Sequence, residues 1–436
     1  MNQYIQDTKQ DSTNPNQNMK LGIWLYFFLL IFEGALRKWV LPGLATPLLI
    51  IRDPLGLWLI FIALKKGLIP SNIFLNLMLL IAFASFFTAI FIGHGNLLVA
   101  LFGARILLIH FPLIFIIGNV FDREDVEKMG KAIVMISIPM AILIARQFYS
   151  PQSAWVNRGV GGDENGAGFT GALGYFRPPG TFSFTNGVAL FFSFVSSFVL
   201  YFWLIPGKIN KLILIGSTIA IIASIPLSIS RTLFFSILVT VFFAAITILK
   251  NPLFIGRALI IGLVGLLSLG ILSKTRFFKT STEAFSARFS FANKTEGGIS
   301  GVIGGRYVGG MTGALIGSSR VPFFGYGSGM GTNAGAMLLT GKNKFLISEE
   351  ECGRLIGELG PLLGISVILI RLSLVGKMAL VSIRRLNTGY ILPWMLLSFG
   401  ILTIPEGQWA QPTNLGFSTL IGGLIIASLN NNNALF

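Results

Sequence analysis

Cysteine is nearly absent from this chain. Cys352 is the one thiol among 436 residues, so no disulfide can form within it. Histidine is almost as scarce. His94 and His110 stand alone, and no Cys/His cluster has the spacing of a zinc site. No Walker A sequence and no G-x-G-x-x-G fingerprint occurs, which argues against a nucleotide site. No internal repeat is apparent. Charge is thin too: 11% of residues are Asp, Glu, Lys or Arg, against roughly 25% in a soluble globular domain. Acidic residues number 17 against 33 basic ones.

What is present is apolar. Hydrophobic residues make up 53% of the chain, Phe alone contributes 39 positions, and mean hydropathy is +0.76. These values predict an all-α integral membrane protein, because an unpaired backbone in hydrocarbon leaves only helices and closed barrels able to span. A spanning helix needs about 20 mostly apolar residues. Candidate spans lie at 22–36, 46–64, 72–92, 97–118, 131–148, 187–204, 210–228, 232–249, 255–273, 355–372, 389–404 and 413–429, about 12 in all. The second carries Arg52-Asp53-Pro54, which predicts a broken or partly inserted helix. The membrane domain is 22–429, with polar tails at 1–21 and 430–436. No small-residue cleavage site follows the first apolar run, so that run is expected to be a retained helix and not a signal peptide.

The net charge is +16. In a soluble protein this would suggest nucleic acid. Here it follows from Lys and Arg in loops that set topology, with an anionic lipid-linked substrate as a second contribution, and no nucleic-acid partner is expected. With the N-terminus inside, the inner loops carry Lys65-Lys66, Arg123, Lys128, Lys131, Lys208, Lys211, Lys250, Arg257, Lys377, Arg384 and Arg385, while 405–412 carries no Lys or Arg. Both chain ends then face inward, and the long loops 149–186 and 274–350 face outward. Arg37-Lys38 breaks the pattern and is expected to snorkel to the outer interface.

Four constellations carry candidate chemistry. Arg177-Pro178-Pro179-Gly180-Thr181-Phe182 makes a turn before a helix that Thr185 or Asn186 is placed to cap. Arg177 suits a bidentate phosphate contact or a snorkelling role. Ser230-Arg231 joins two apolar runs with almost no loop; an arginine so near hydrocarbon needs a partner or a polar cavity. Gly305-Arg306 leads to Pro322-Phe323-Phe324-Gly325-Tyr326-Gly327-Ser328-Gly329, whose glycines permit positive φ and close backbone approach to a ligand. Arg306 suits either phosphate binding or holding the loop together. Finally, Glu349-Glu350-Glu351 precedes a span containing Arg354 and Glu358. A carboxylate there is placed either as a general base or as a helix start that complements the dipole. Arg354 and Glu358 are spaced to pair. His110 with Arg105 could line a polar cavity or serve helix packing, and His94 is read as packing.

Arg-Pro-x-Gly-Thr-Phe at 177–182, Ser-Arg at 230–231, Gly-Arg at 305–306, the aromatic-glycine tract at 322–329 and Glu-Leu-Gly-x-x-x-Gly at 358–364 occur in order. In this ordered set the chain resembles the O-antigen ligase and polymerase superfamily of bacterial envelope enzymes, which includes exopolysaccharide polymerases. The resemblance implies a GT-C-like, metal-independent glycosyltransferase of the bacterial inner membrane, with no cofactor. It implies a polyprenyl-diphosphate-linked glycan as donor on the outer face and a glycan acceptor. A chain-length regulator, export machinery and membrane lipids are further candidate partners. By the same resemblance Arg177, Arg231 and Arg306 bind the donor diphosphate. Ligases of the family carry a histidine base just before the Glu-containing motif. This chain has no histidine after 110, and Glu349, Glu350 and Glu351 occupy that region. The expectation is therefore a polysaccharide polymerase that uses one of these carboxylates, with a ligase as the alternative and a transporter or flippase of lipid-linked glycans as the rival from another class.

Overall fold

The computed structural model describes residues 16–296, 309–318, 321–342 and 344–430. It is 77% helical. Among the described residues, ten helices are long and apolar enough to cross a membrane, and Lys211–Leu227 and Leu392–Glu406 are shorter apolar helices. The chain is therefore a mostly helical protein built for a membrane. Each of the twelve apolar runs of the sequence falls on helix.

The helices are α1 (Gln17–Ala35), α2 (Ala45–Leu48), α3 (Arg52–Lys65), α4 (Ile73–Phe91), α5 (Leu97–Arg105), α6 (Phe111–Val120) and α7 (Arg123–Tyr149). A hairpin of β1 (Phe169–Ala172) and β2 (Tyr175–Arg177) follows, then α8 (Asn186–Leu204), α9 (Lys211–Leu227), α10 (Arg231–Lys250), α11 (Ile255–Ser273) and α12 (Arg276–Glu296). Next come α13 (Gly309–Gly317), α14 (Asn333–Thr340), α15 (Glu351–Asn387), α16 (Leu392–Glu406) and α17 (Pro412–Leu429). Polar residues set many of these starts. Asn72, Asn96, Asp122, Asn210 and Ser230 each accept a hydrogen bond from a first-turn N–H, which satisfies donors left open at a helix start. The run at 46–64 is broken as the sequence anticipates: α2 stops at Leu48, and α3 begins at Arg52, next to Asp53-Pro54.

At the centre lies α17, nearly all of whose side chains are buried. It packs on α6, α16 and α7. Small residues bring α6 and α17 together: Gly118 meets Ile426 and Gly423 meets Ile117. Small residues at such an interface let helices approach where lipid removes the hydrophobic drive. The opposite extreme is α11, where only Ser268 is buried.

The bundle has two chemically distinct ends. At one, Lys20 pairs with Asp122 at 2.9 Å, Lys208 with Glu127 at 2.8 Å, and Lys250 donates to Asn387 at 2.6 Å. Tyr201 also donates to Glu127, at 2.7 Å. At the other end lie the hairpin and the start of α15. Two features here depart from the sequence expectation, which read both segments as loops. The hairpin turns at Leu173-Gly174, both with positive φ, and pairs Phe169 with Arg177. The polar segment after Lys274 contains the amphipathic helix α12, whose Phe285 and Phe289 pack on Phe234 of α10.

Arg37 and Lys38 correct the sequence reading. They do not snorkel. Both are buried on a π-turn, Leu36–Val40, that extends α1. Arg37 donates to the Ala45 carbonyl at 2.7 Å and to Ser183 Oγ at 2.8 Å, and Lys38 donates to the Gly180 carbonyl at 2.6 Å.

Candidate functional site

The turn after Arg177 is clamped from two sides. Gly180, at φ +60°, donates its N–H to Gln147 Oε1 at 2.7 Å. Its carbonyl accepts from Lys38 and, at 3.2 Å, from Gln147 Nε2. Thr181 Oγ1 donates to the Ile31 carbonyl at 2.6 Å. Helices α1 and α7 thus fix the turn through which Arg177 leaves β2. Thr185 is the residue before α8, but its side chain makes no capping bond.

Arg231 is placed by a different device. Ser230 caps α10 by accepting from Leu233 N–H at 3.2 Å, so Arg231 occupies the first helical position. The link back to α9 passes through Ile229, at φ +47°. A β-branched residue there is strained, by about 1–3 kcal/mol for such conformations in general. The side chain that accompanies this strain is fully buried and reaches under the hairpin at Gly171.

These residues share one cavity of about 860 Å³. Arg177, Arg231 and Arg288 line it together with Glu349, Glu350, Glu351 and Glu406. Its floor carries an amide chain. Asn186 Nδ2 donates to Gln411 Oε1 at 2.6 Å, Gln411 Nε2 to Gln408 Oε1 at 2.7 Å, and Gln408 Nε2 to the Glu349 carbonyl at 2.8 Å. Along α10 the lining becomes apolar at Phe235, Leu238 and Phe242, of which Leu238 and Phe242 are exposed.

The three adjacent glutamates are not equivalent. Glu349 and Glu350 are exposed, whereas Glu351 is buried. The Glu351 carboxylate accepts from Arg354 at 3.0 and 2.8 Å, from Arg371 at 2.8 Å and from the Trp409 N–H at 3.1 Å. Arg354 also pairs with Glu358 at 2.5 Å, four residues on, as their spacing anticipates. Arg371 lies 3.7 Å over the Trp409 ring. Burial of these charges is compensated by pairing, as charge in a membrane core requires.

The aromatic-glycine tract approaches backbone and not the cavity. Tyr326 N–H and Gly327 N–H donate to the carbonyls of Gly357 and Glu358 at 2.8 and 2.9 Å. A side chain at Gly329 would strike Val99 O, and one at Gly103 would strike Gly329 N. Arg306 lies outside the described residues. His110 and Arg105 do not line this cavity: both bind Asp53, at 3.0 and 2.8 Å, and Tyr26 bonds to the other histidine nitrogen at 3.0 Å. His94 accepts from Asn96 N–H and bonds to the Ser328 carbonyl at 3.1 Å, a packing role.

Arg288, Arg371, Glu406, Gln408 and Gln411 escaped the sequence reading. Arg288 sits on the amphipathic pattern of 276–296, and Glu406 is the one charged residue of a connection otherwise free of charge; those were the available signals. Compared with known proteins, the chain matches no family model, and no curated protein matches it.

Proposed function

We propose that this chain is a membrane glycosyltransferase that polymerises polyprenyl-diphosphate-linked repeat units into a surface or secreted polysaccharide on the outer face of the inner membrane. The observation that carries this reading is the shared cavity of Arg177, Arg231 and Arg288 with four carboxylates, grading into an apolar wall on α10. Such a lining suits an amphipathic substrate with an anionic head and a long apolar tail. Guanidinium groups in a partly dry site favour the negative charge that develops on a departing diphosphate, and they bind phosphate oxygens in pairs. The diphosphate leaves from the anomeric carbon as an acceptor hydroxyl attacks from the opposite face, inverting that centre. A carboxylate of the cavity takes the hydroxyl proton.

The test uses membranes from cells that lack the gene, complemented with wild type, Arg177→Ala or Arg231→Ala at matched protein levels. Single repeat units on the carrier should accumulate in the deletion strain and in both variants, with transfer slowed about 10²–10³-fold, the usual loss when one charge-stabilising donor is removed. Normal-length chains left untransferred on the carrier would assign a ligase instead. A deletion strain with an unchanged glycan profile would overturn the transferase reading and return a transporter.

A further inference from the structure

We infer that Glu406 is the general base of this transfer, an assignment that rests on reading the cavity as a transferase site. Four carboxylates border the cavity, and their surroundings differ. Glu351 already accepts four hydrogen bonds, three of them from guanidinium groups, which leaves no lone pair directed at a substrate. Glu349 and Glu350 are exposed, so water competes with a sugar hydroxyl for their oxygens. Glu406 differs from all three. It is half-buried, it makes no ion pair among the described residues, and no described donor hydrogen-bonds to its carboxylate.

Its position is also fixed. Glu406 ends α16 beyond the apolar run that closes at Ile404. The Thr403 carbonyl just before it accepts from Gly407 N–H at 3.0 Å, Ser418 Oγ at 2.8 Å and Trp409 Nε1 at 3.4 Å. Trp409 in turn is tied to Glu351 and stacked under Arg371. The buried ion-pair network therefore anchors the connection that presents Glu406 to the cavity.

The charged groups around the cavity come from several elements. Arg177 belongs to β2, Arg231 to α10 and Arg288 to α12, while Glu349, Glu350, Glu351 and Cys352 stand at the start of α15. From α8 and α17 the lining is Asn186, Ala189, Leu190, Ser193 and Asn414, none of them charged. Burial and the neighbouring Glu350 carboxylate push Glu406 up to about 7. In the step itself, the acceptor oxygen bonds to the donor's anomeric carbon as the bond from that carbon to the phosphate oxygen breaks. The bonding pair leaves with the diphosphate, and the acceptor proton moves to a Glu406 oxygen and then to water.

The experiment follows chain lengthening by the full-length protein in membranes, with carrier-linked repeat units extracted from the deletion strain as substrate. A working base must be ionised, so the wild-type rate should fall as pH drops through about 7. Glu406→Gln should slow transfer about 10²–10⁴-fold, the range for a lost acid–base group, with half-saturating substrate changed less than threefold or so. Glu350→Gln removes a like charge and should shift the acidic limb to lower pH while leaving transfer measurable. Both proteins should melt as wild type does. Undiminished transfer by Glu406→Gln, or an unmoved limb in Glu350→Gln, overturns the assignment of the base alone. Wild-type membranes that lengthen no carrier-linked glycan overturn the transferase reading and the base with it.

Discussion

Glu351 and Glu406 border the same cavity, yet their neighbours give them opposite characters. Glu351 is held by Arg354, Arg371 and Trp409, so its work is structural. Removing it leaves the buried Arg371 guanidinium without a counter-charge and Arg354 with Glu358 alone, and breaking a buried pair from one side typically costs about 3–5 kcal/mol. Glu351→Ala should therefore lower the melting temperature of the purified protein markedly, while Glu349→Ala, which deletes an exposed side chain, should leave it within a degree or two, in line with surface substitutions worth about ±0.5 kcal/mol. An Glu351→Ala protein that melts with wild type would show the network to be dispensable. Arg177, Arg231 and the glutamates, which the fold brings to one cavity, could be singled out in the sequence because each is a charge set beside an apolar run. It could not rank the glutamates, since Arg371 lies twenty residues further along the same helix and Trp409 on another connection. Such distant partners leave no local trace.

At the scale of elements, α15 shows how two sequence motifs become one piece of structure. The helix is interrupted at Gly360, with φ +81° and ψ +167°, followed by Pro361, which has no N–H to give. The carbonyls freed near this break are taken by Tyr326 and Gly327, so the tract 322–329 docks on the interruption. The glycines at 325 and 327 were legible as permitting positive φ and close approach, whereas Gly360 was legible only as part of a motif. That the approaching group is backbone, and not ligand, depended on which helix lay opposite. A methyl at Gly360 would come within 2.0 Å of the Phe323 carbonyl. Gly360→Ala should destabilise the protein by about 1–3 kcal/mol from backbone strain alone, with more from the clash. Gly376 in the same helix has open space around it, and Gly376→Ala should stabilise by about 0.5–1 kcal/mol. Paired thermal melts that move in opposite directions would support this account. Equal shifts would remove the special role of the break.

For the whole molecule, hydropathy located the helices because burial in hydrocarbon forces each apolar run to satisfy its own backbone. It overlooked α12 and the β1–β2 hairpin because both lie outside those runs, where local turn chemistry and docking on α10 decide the structure. It also misplaced Arg37 and Lys38, since a cation beside an apolar run reads the same whether it reaches for water or for the Gly180 and Ala45 carbonyls. The distribution of charge bears on orientation. Lys20, Lys208 and Lys250 meet at one end of the bundle, and the cavity with its hairpin lies at the other. Excess Lys and Arg marks the cytoplasmic side, so the cavity should open to the outside, as the proposed polymerisation requires. Replacing Cys352, the only cysteine, by serine gives a background free of thiols. In that background Glu164→Cys, beside the hairpin, and Lys208→Cys, at the basic end, mark the two faces; their side chains are 79% and 40% exposed. A membrane-impermeant maleimide added to right-side-out vesicles should label the first at once and the second only after permeabilisation. The reverse pattern would turn the molecule over, place the arginine-lined cavity on the cytoplasmic face, and remove the outer-face location on which the proposed polymerisation depends.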